Sequence, residues 1–353
     1  MNTVKNLTAL LLSMILISAV FVSCSDQTKT DGTATDTDVT ASESETNATQ
    51  EQEIENGDAE KEDTDFEYVL LSNETYAIKK LLNTAATEIT VPEAYKGKPV
   101  TKIMSKAFEK ASALTAVTVK SNVQEIEKGA FSGCSSLNNL TLPFVGAKQS
   151  SAEPLGYLFG ATAYSGAQKV EQHVTSNGQT KAHTFYIPSG LEKVTVSGGT
   201  IRMYAFMGCA MVKELVLEDG VTAIESGAFL LCEGLESVSM GKSITEISDE
   251  CFMNLTGLKQ VLIGENVTKI GCYAFNGCTA LKSIVIPKKV TVIEKYAFDG
   301  CTGMESIIFE CTTGWYRDYG SASGTGMNVT DPALNVKNLT DSREYSSDRW
   351  KRK

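Results

Sequence analysis

The chain has 353 residues, 42% apolar and 8% aromatic, with 32 Lys+Arg against 43 Asp+Glu and only 2 His. That is enough apolar material for one large or two ordinary domains, so wholesale disorder is excluded. The net charge of −11 is local, because residues 25–63 hold 13 Asp/Glu and 2 Lys and the remainder sums to zero; a neutral body has no basic field to gather nucleic acid, and two histidines leave little room for His-rich metal or general-base chemistry.

Residues 1–23 predict an export signal. Lys5 supplies the positive start, and Leu7 to Val22 is an apolar run too short for a comfortable membrane span, followed at once by polar sequence. Its end, Phe21-Val22-Ser23-Cys24, resembles a bacterial lipoprotein processing site, except that Phe21 stands where such sites usually carry Leu. The resemblance implies lipid attachment at Cys24 and anchoring on the outer face of the cell membrane or envelope; ordinary secretion is the alternative. Residues 24–63 carry no aromatics and only Val39 and Ile54 as large aliphatics. They cannot bury enough surface to offset their ordering entropy and read as a disordered acidic tether.

The body, residues 64–311, repeats itself. Phenylalanines fall at Phe108 and Phe131, then at Phe206, Phe229, Phe252, Phe275 and Phe298, with a period of 23 broken once by a gap of 75. A small residue precedes each one, and three residues after it comes a slot holding Cys134, Cys209, Cys232, Cys278 or Cys301, with Ala111 and Leu255 as substitutes. A slot that accepts Cys, Ala or Leu selects for modest apolar volume. Adjacent copies would nonetheless sit about 4.8 Å apart, within disulfide reach. With no Cys-x-x-Cys pair, zinc is not expected, nor is any other metal or cofactor.

Between the phenylalanines runs apolar-x-x-apolar-x-apolar, as in Leu235/Val238/Met240 and Leu281/Ile284/Ile286, with a weaker first copy at Ala86/Ile89/Val91. The last two positions have strand period. One short strand per 23 residues predicts a stacked parallel sheet whose neighbours pool one core. A second apolar pair, such as Val267/Ile270, marks the return limb. The residue between the last two apolar positions should face solvent: Thr118, Thr141, Thr195, Val216, Ser239, Leu262, Val285 and Ile308 in turn. This row begins with threonines and ends in aliphatics. Exposed apolar patches mark interfaces, so Val216, Ser239, Leu262, Val285 and Ile308 are the candidate binding residues, unless the C-terminal tail folds back over them.

The units Gly271 to Pro287 and Glu294 to Cys301 resemble the BspA-like leucine-rich repeats of bacterial surface proteins, over about residues 84–311. The likeness departs from typical leucine-rich repeats, which carry an inward Asn after the strand; here Pro143, Gly241, Gly264 or Pro287 stands there. The resemblance implies a mostly-β, right-handed α/β solenoid with one parallel sheet and short helical or 3-10 turns. It also implies adhesion to protein or glycan partners, host extracellular matrix among them, and no catalytic site.

The gap, about residues 144–190, holds roughly two extra units' worth of chain. Leu155 to Gly160 reads as a decayed Phe turn, and Asn177-Gly178 predicts a tight hairpin between Val170–Val174 and Ala182–Ile187. His173 and His183 could face each other across it, and a surface hydrolase using Glu171 or His173 as base is the weaker functional alternative, since no nucleophile stands in register. A self-associating structural protein is another. Residues 312–353 leave the repeat, carry Trp315 and Trp350, and are expected to cap the solenoid. The Gly320 to Gly326 loop lacks the Lys-Ser/Thr of a phosphate cradle. The terminal Arg349, Lys351, Arg352 and Lys353 are expected to serve solubility alone.

Overall fold

The computed structural model describes residues 64–176, 179–318, 326–341 and 346–353. The signal, Cys24, the tether, the dipeptide at 177–178 and residues 319–325 lie outside the described residues.

The body is a mostly-β solenoid with little helix. One limb of each coil is a short strand, and the strands stack in parallel and in register: Glu88–Thr90, Ala116–Thr118, Asn139–Leu142, Lys193–Ile201, Glu214–Ile224, Ser237–Met240 and Gln260–Leu262 form a seven-stranded sheet. Ser283–Ile286 and Ser306–Phe309 continue it as a separate parallel pair. The return limb is stranded too, which alternation alone does not reveal in two-residue segments. Glu246–Ile247, Lys269–Ile270 and Val292–Ile293 form a second parallel ladder.

Between the limbs runs the phenylalanine column. Ring centroids are 5.2–5.3 Å apart from Phe229 through Phe252 and Phe275 to Phe298, with planes within 7° of parallel. All these rings are buried. The preceding residue is small because the turns are bonded to one another there. The Phe252 amide donates to the Ala274 carbonyl at 2.8 Å, and Phe275 to Ala297 at 2.7 Å. Each of these turns also uses the left-handed backbone region twice, two residues before and two after the Phe, for example at Gly227 and Leu231, or Glu250 and Asn254. A side chain such as Leu231 holds that conformation at a cost of about 1–2 kcal/mol.

The gap of 75 contributes one further turn and a hairpin. The 3-10 segment Leu155–Leu158 slots between the Phe131 and Phe206 turns: Phe131 donates its amide to Leu158 O at 2.9 Å, and Leu155 to Ala205 O at 2.8 Å. Phe159 lies 6.2 Å from Phe131 and carries on the column. Ala167–Ser176 then pairs antiparallel with Gln179–Pro188.

Both ends are closed. At the N-terminus Phe66–Leu70 and Tyr76–Leu81 pair antiparallel, and Phe66 sets its edge on Phe108 at 5.9 Å. At the C-terminus Arg349–Arg352 pairs antiparallel with both Val292–Ile293 and Trp315–Asp318. The helix Pro332–Thr340, capped by Asp331, packs on the edge of Ser306–Phe309, where buried Asn335 donates to Ile307 O at 2.9 Å. The basic terminus is therefore structural, contrary to the solubility role expected of it. Arg349 Nε bonds Glu294 at 2.6 Å, Lys351 pairs with Asp318 at 2.7 Å, and Arg352 donates to Lys288 O at 2.6 Å.

Candidate binding face

Ladder register places Thr90, Thr118, Thr141, Thr195, Val216, Ser239 and Leu262 in one row on the solvent side of the seven-stranded sheet, and Val285 beside Ile308 on the two-stranded continuation. Val216 and Ser239 are half-buried, whereas Leu262, Val285 and Ile308 are 64%, 40% and 43% exposed. The tail does not cover them in the described residues, because helix Pro332–Thr340 closes the sheet edge and leaves its face open. Beside the aliphatics stand Gln260, Ser283 and Ser306 on one side and Gly264, Pro287 and Glu310 on the other. Cys24 lies outside the described residues.

The slot cysteines carry a feature that residue volume does not predict. Cys232 Sγ donates to Phe206 O at 2.9 Å, and Cys278 and Cys301 donate to Phe252 O and Phe275 O at 3.1 Å. In these coils the thiol thus stitches the turn to the phenylalanine carbonyl of the coil before. All eight described cysteines are free, and burial pushes the Cys134, Cys232 and Cys301 thiols up to about 12. Thiolates are the reactive form, so these are inert spine residues at neutral pH. Their folded values lie above the ordinary 9.0, so below that value both states are neutral and stability is unaffected. Above it the unfolded chain ionises first, and stability falls as pH rises toward the folded values. A urea midpoint that drops as pH rises from about 9 to about 11 is expected, and a flat profile would contradict the burial argument.

The hairpin is bolted down by a residue that sequence reasoning passed over. Gln172 is fully buried; its Oε1 accepts from Gly156 N at 2.8 Å, and its Nε2 donates to Met207 O at 2.9 Å and to Cys209 Sγ at 3.4 Å. A lone glutamine in an alternating strand gives no signal for this. The two histidines do not face each other. Ala182 pairs with His173 and Gln172 with His183, so the one-residue offset puts them on opposite faces. His173 instead sets its edge against Tyr204 at 5.0 Å, and Glu171 is exposed beside Lys169. Among the described residues no cluster of three or more His, Cys, Asp or Glu is arranged to hold a metal.

These features define a bacterial-type leucine-rich repeat solenoid with an open sheet face. Six copies of the BspA type leucine rich repeat region match residues 75–154 and 199–318. The chain belongs to the BspA-type leucine-rich repeat family. Among solved structures it is similar to a leucine-rich cell surface protein of Faecalibacterium prausnitzii, at 26% identity over 76% of this chain and 60% of that one, TM-score 0.38. It therefore spans 60% of that protein's length. It is also similar to a leucine-rich repeat protein of T. pallidum, at 19% identity over 69% of this chain and 91% of that one, TM-score 0.35. A third is the pneumococcal vaccine antigen PcpA, at 12% identity over 69% and 79% of the two chains, TM-score 0.22. No curated protein matches this chain.

Proposed function

We propose that this chain is an exported, lipid-anchored surface protein that binds a protein partner through the C-terminal half of its sheet face, without catalysis. The observation that carries this reading is the row Leu262, Val285 and Ile308, three aliphatics left exposed by a scaffold that buries every other apolar side chain of those strands except Val261. Exposed apolar surface of this kind is costly to keep in water and is commonly kept for an interface. Family membership supports the surface role, and host extracellular matrix is the target class that the family resemblance suggests. Glycan binding is a narrower option, since the aliphatic row offers no aromatic platform. Cys24, with the acidic residues 25–63 after it, supports anchoring at a distance from the envelope.

The test is a pull-down with the exported body, lacking the acidic segment, against host matrix and bacterial surface material. Replacing Leu262 and Ile308 with Asp is expected to abolish capture. Unchanged capture by a variant with native circular dichroism would contradict the assignment of this face. Size-exclusion chromatography at several concentrations separates capture of a partner from self-association.

A further inference from the structure

The sheet is interrupted once, between Gln260–Leu262 and Ser283–Ile286, where the seven-stranded section ends and the two-stranded one begins. In neighbouring coils the two amides that open each strand donate to one carbonyl of the coil before. Lys259 and Gln260 bond Glu236 O at 2.8 and 3.1 Å, and Glu305 and Ser306 bond Lys282 O at 2.7 and 3.3 Å. Among the described residues, Lys282 and Ser283 make no such bond to Lys259. The same junction is intact elsewhere. Its Phe turns are bonded from Phe252 to Ala274 and from Asn254 to Asn276 at 2.8 and 2.7 Å, Lys269 pairs with Val292 on the return limb, and the Phe252 and Phe275 rings stack at 5.3 Å.

Two further observations coincide at this place. The column of residues entering the strands alternates in charge and forms ion pairs from coil to coil: Glu192 with Lys213, Glu236 with Lys259, and Lys282 with Glu305. The alternation fails once, where Lys259 and Lys282 occupy successive positions. The inward strand residue that every other coil buries, such as Val238 or Ile284, is here the half-exposed Val261. Like charges side by side oppose close approach of the two strands, and a half-wet apolar residue supplies little to hold them together.

We propose that this seam is a built-in flexing point of the solenoid. The strands on either side part and close, while the phenylalanine column and the return-limb ladder act as the hinge. Because Leu262 and Val285 flank the seam, its opening changes the spacing and tilt of the exposed aliphatic row, and the binding face adjusts its shape to what it meets. The seam belongs to the scaffold whichever partner the face takes.

Hydrogen–deuterium exchange on the full chain reads this directly. The amides of Lys282 and Ser283 are expected to exchange about tenfold faster, or more, than those of Glu305 and Ser306 one coil on. Equal protection would overturn the proposal. The paired charge swap Lys282→Glu with Glu305→Lys restores strict alternation without altering net charge, and is expected to narrow that difference by about threefold or more. A swap variant with native circular dichroism and an unchanged difference would overturn the role given to the lysines.

Discussion

Phe252→Ala is expected to destabilise the solenoid by about 3–5 kcal/mol, seen as a large drop in the urea midpoint. The ring sits between Phe229 and Phe275 at 5.2 and 5.3 Å, nearly parallel to both and fully buried. The turn backbone that carries it is bonded to the next coil, from Phe252 to Ala274, so the coils cannot collapse into the space without breaking that register. The cavity therefore persists, and the larger end of the range applies. Stability in a solenoid is close to a sum of coil and interface contributions, and the loss falls on two interfaces at once. A change below about 1 kcal/mol would mean that the column is not the continuous core described above.

Trp350→Ala is expected to have an effect of similar size, about 3–5 kcal/mol, concentrated in the last coils. Trp350 is fully buried although it lies three residues from the end of the chain, and its ring stacks on Phe309 at 6.3 Å within 13° of parallel. Its strand covers the open edge of Val292–Ile293, which would otherwise present unpaired backbone groups to solvent or to another chain. The expected signature is earlier urea unfolding together with concentration-dependent association. A variant that keeps the native midpoint and stays dispersed would show that the terminal strand is dispensable.

Much of this architecture was legible in the residues because it rests on side chains that recur at fixed spacing. Phe every 23 positions, with Ala before it and a small slot after it, can satisfy its burial only by stacking on its own copies. The exposed row followed from strand period, and Leu262, Val285 and Ile308 stand exposed along one side of the sheet. What stayed hidden depends on backbone partners distant in sequence. The thiols of Cys232, Cys278 and Cys301 find carbonyls 26 residues upstream, a match that side-chain volume cannot reveal. Gln172 is polar in a strand that otherwise reads as surface, yet it satisfies buried backbone groups of two different turns. The N-terminal hairpin lies before the first phenylalanine of the 23-residue series and is not marked by that spacing, although Phe66 begins the aromatic column. The terminal arginines and lysines read as solvated charge until the carboxylates of Glu294 and Asp318 are brought beside them. The seam at Lys259 and Lys282 was present as a fault in the charge alternation, but it acquires meaning only when strand pairing is seen to lapse at the same coil.

A double-mutant cycle on neighbouring rings addresses the shared interior most directly. Phe252→Leu and Phe275→Leu, singly and together, are expected to show a coupling of about 0.5–1.5 kcal/mol in urea unfolding, because each ring is the other's stacking partner. The pair Phe229→Leu and Phe275→Leu, one coil further apart, is expected to be additive within about 0.5 kcal/mol. Additive behaviour by the adjacent pair would contradict a single interior running through successive coils.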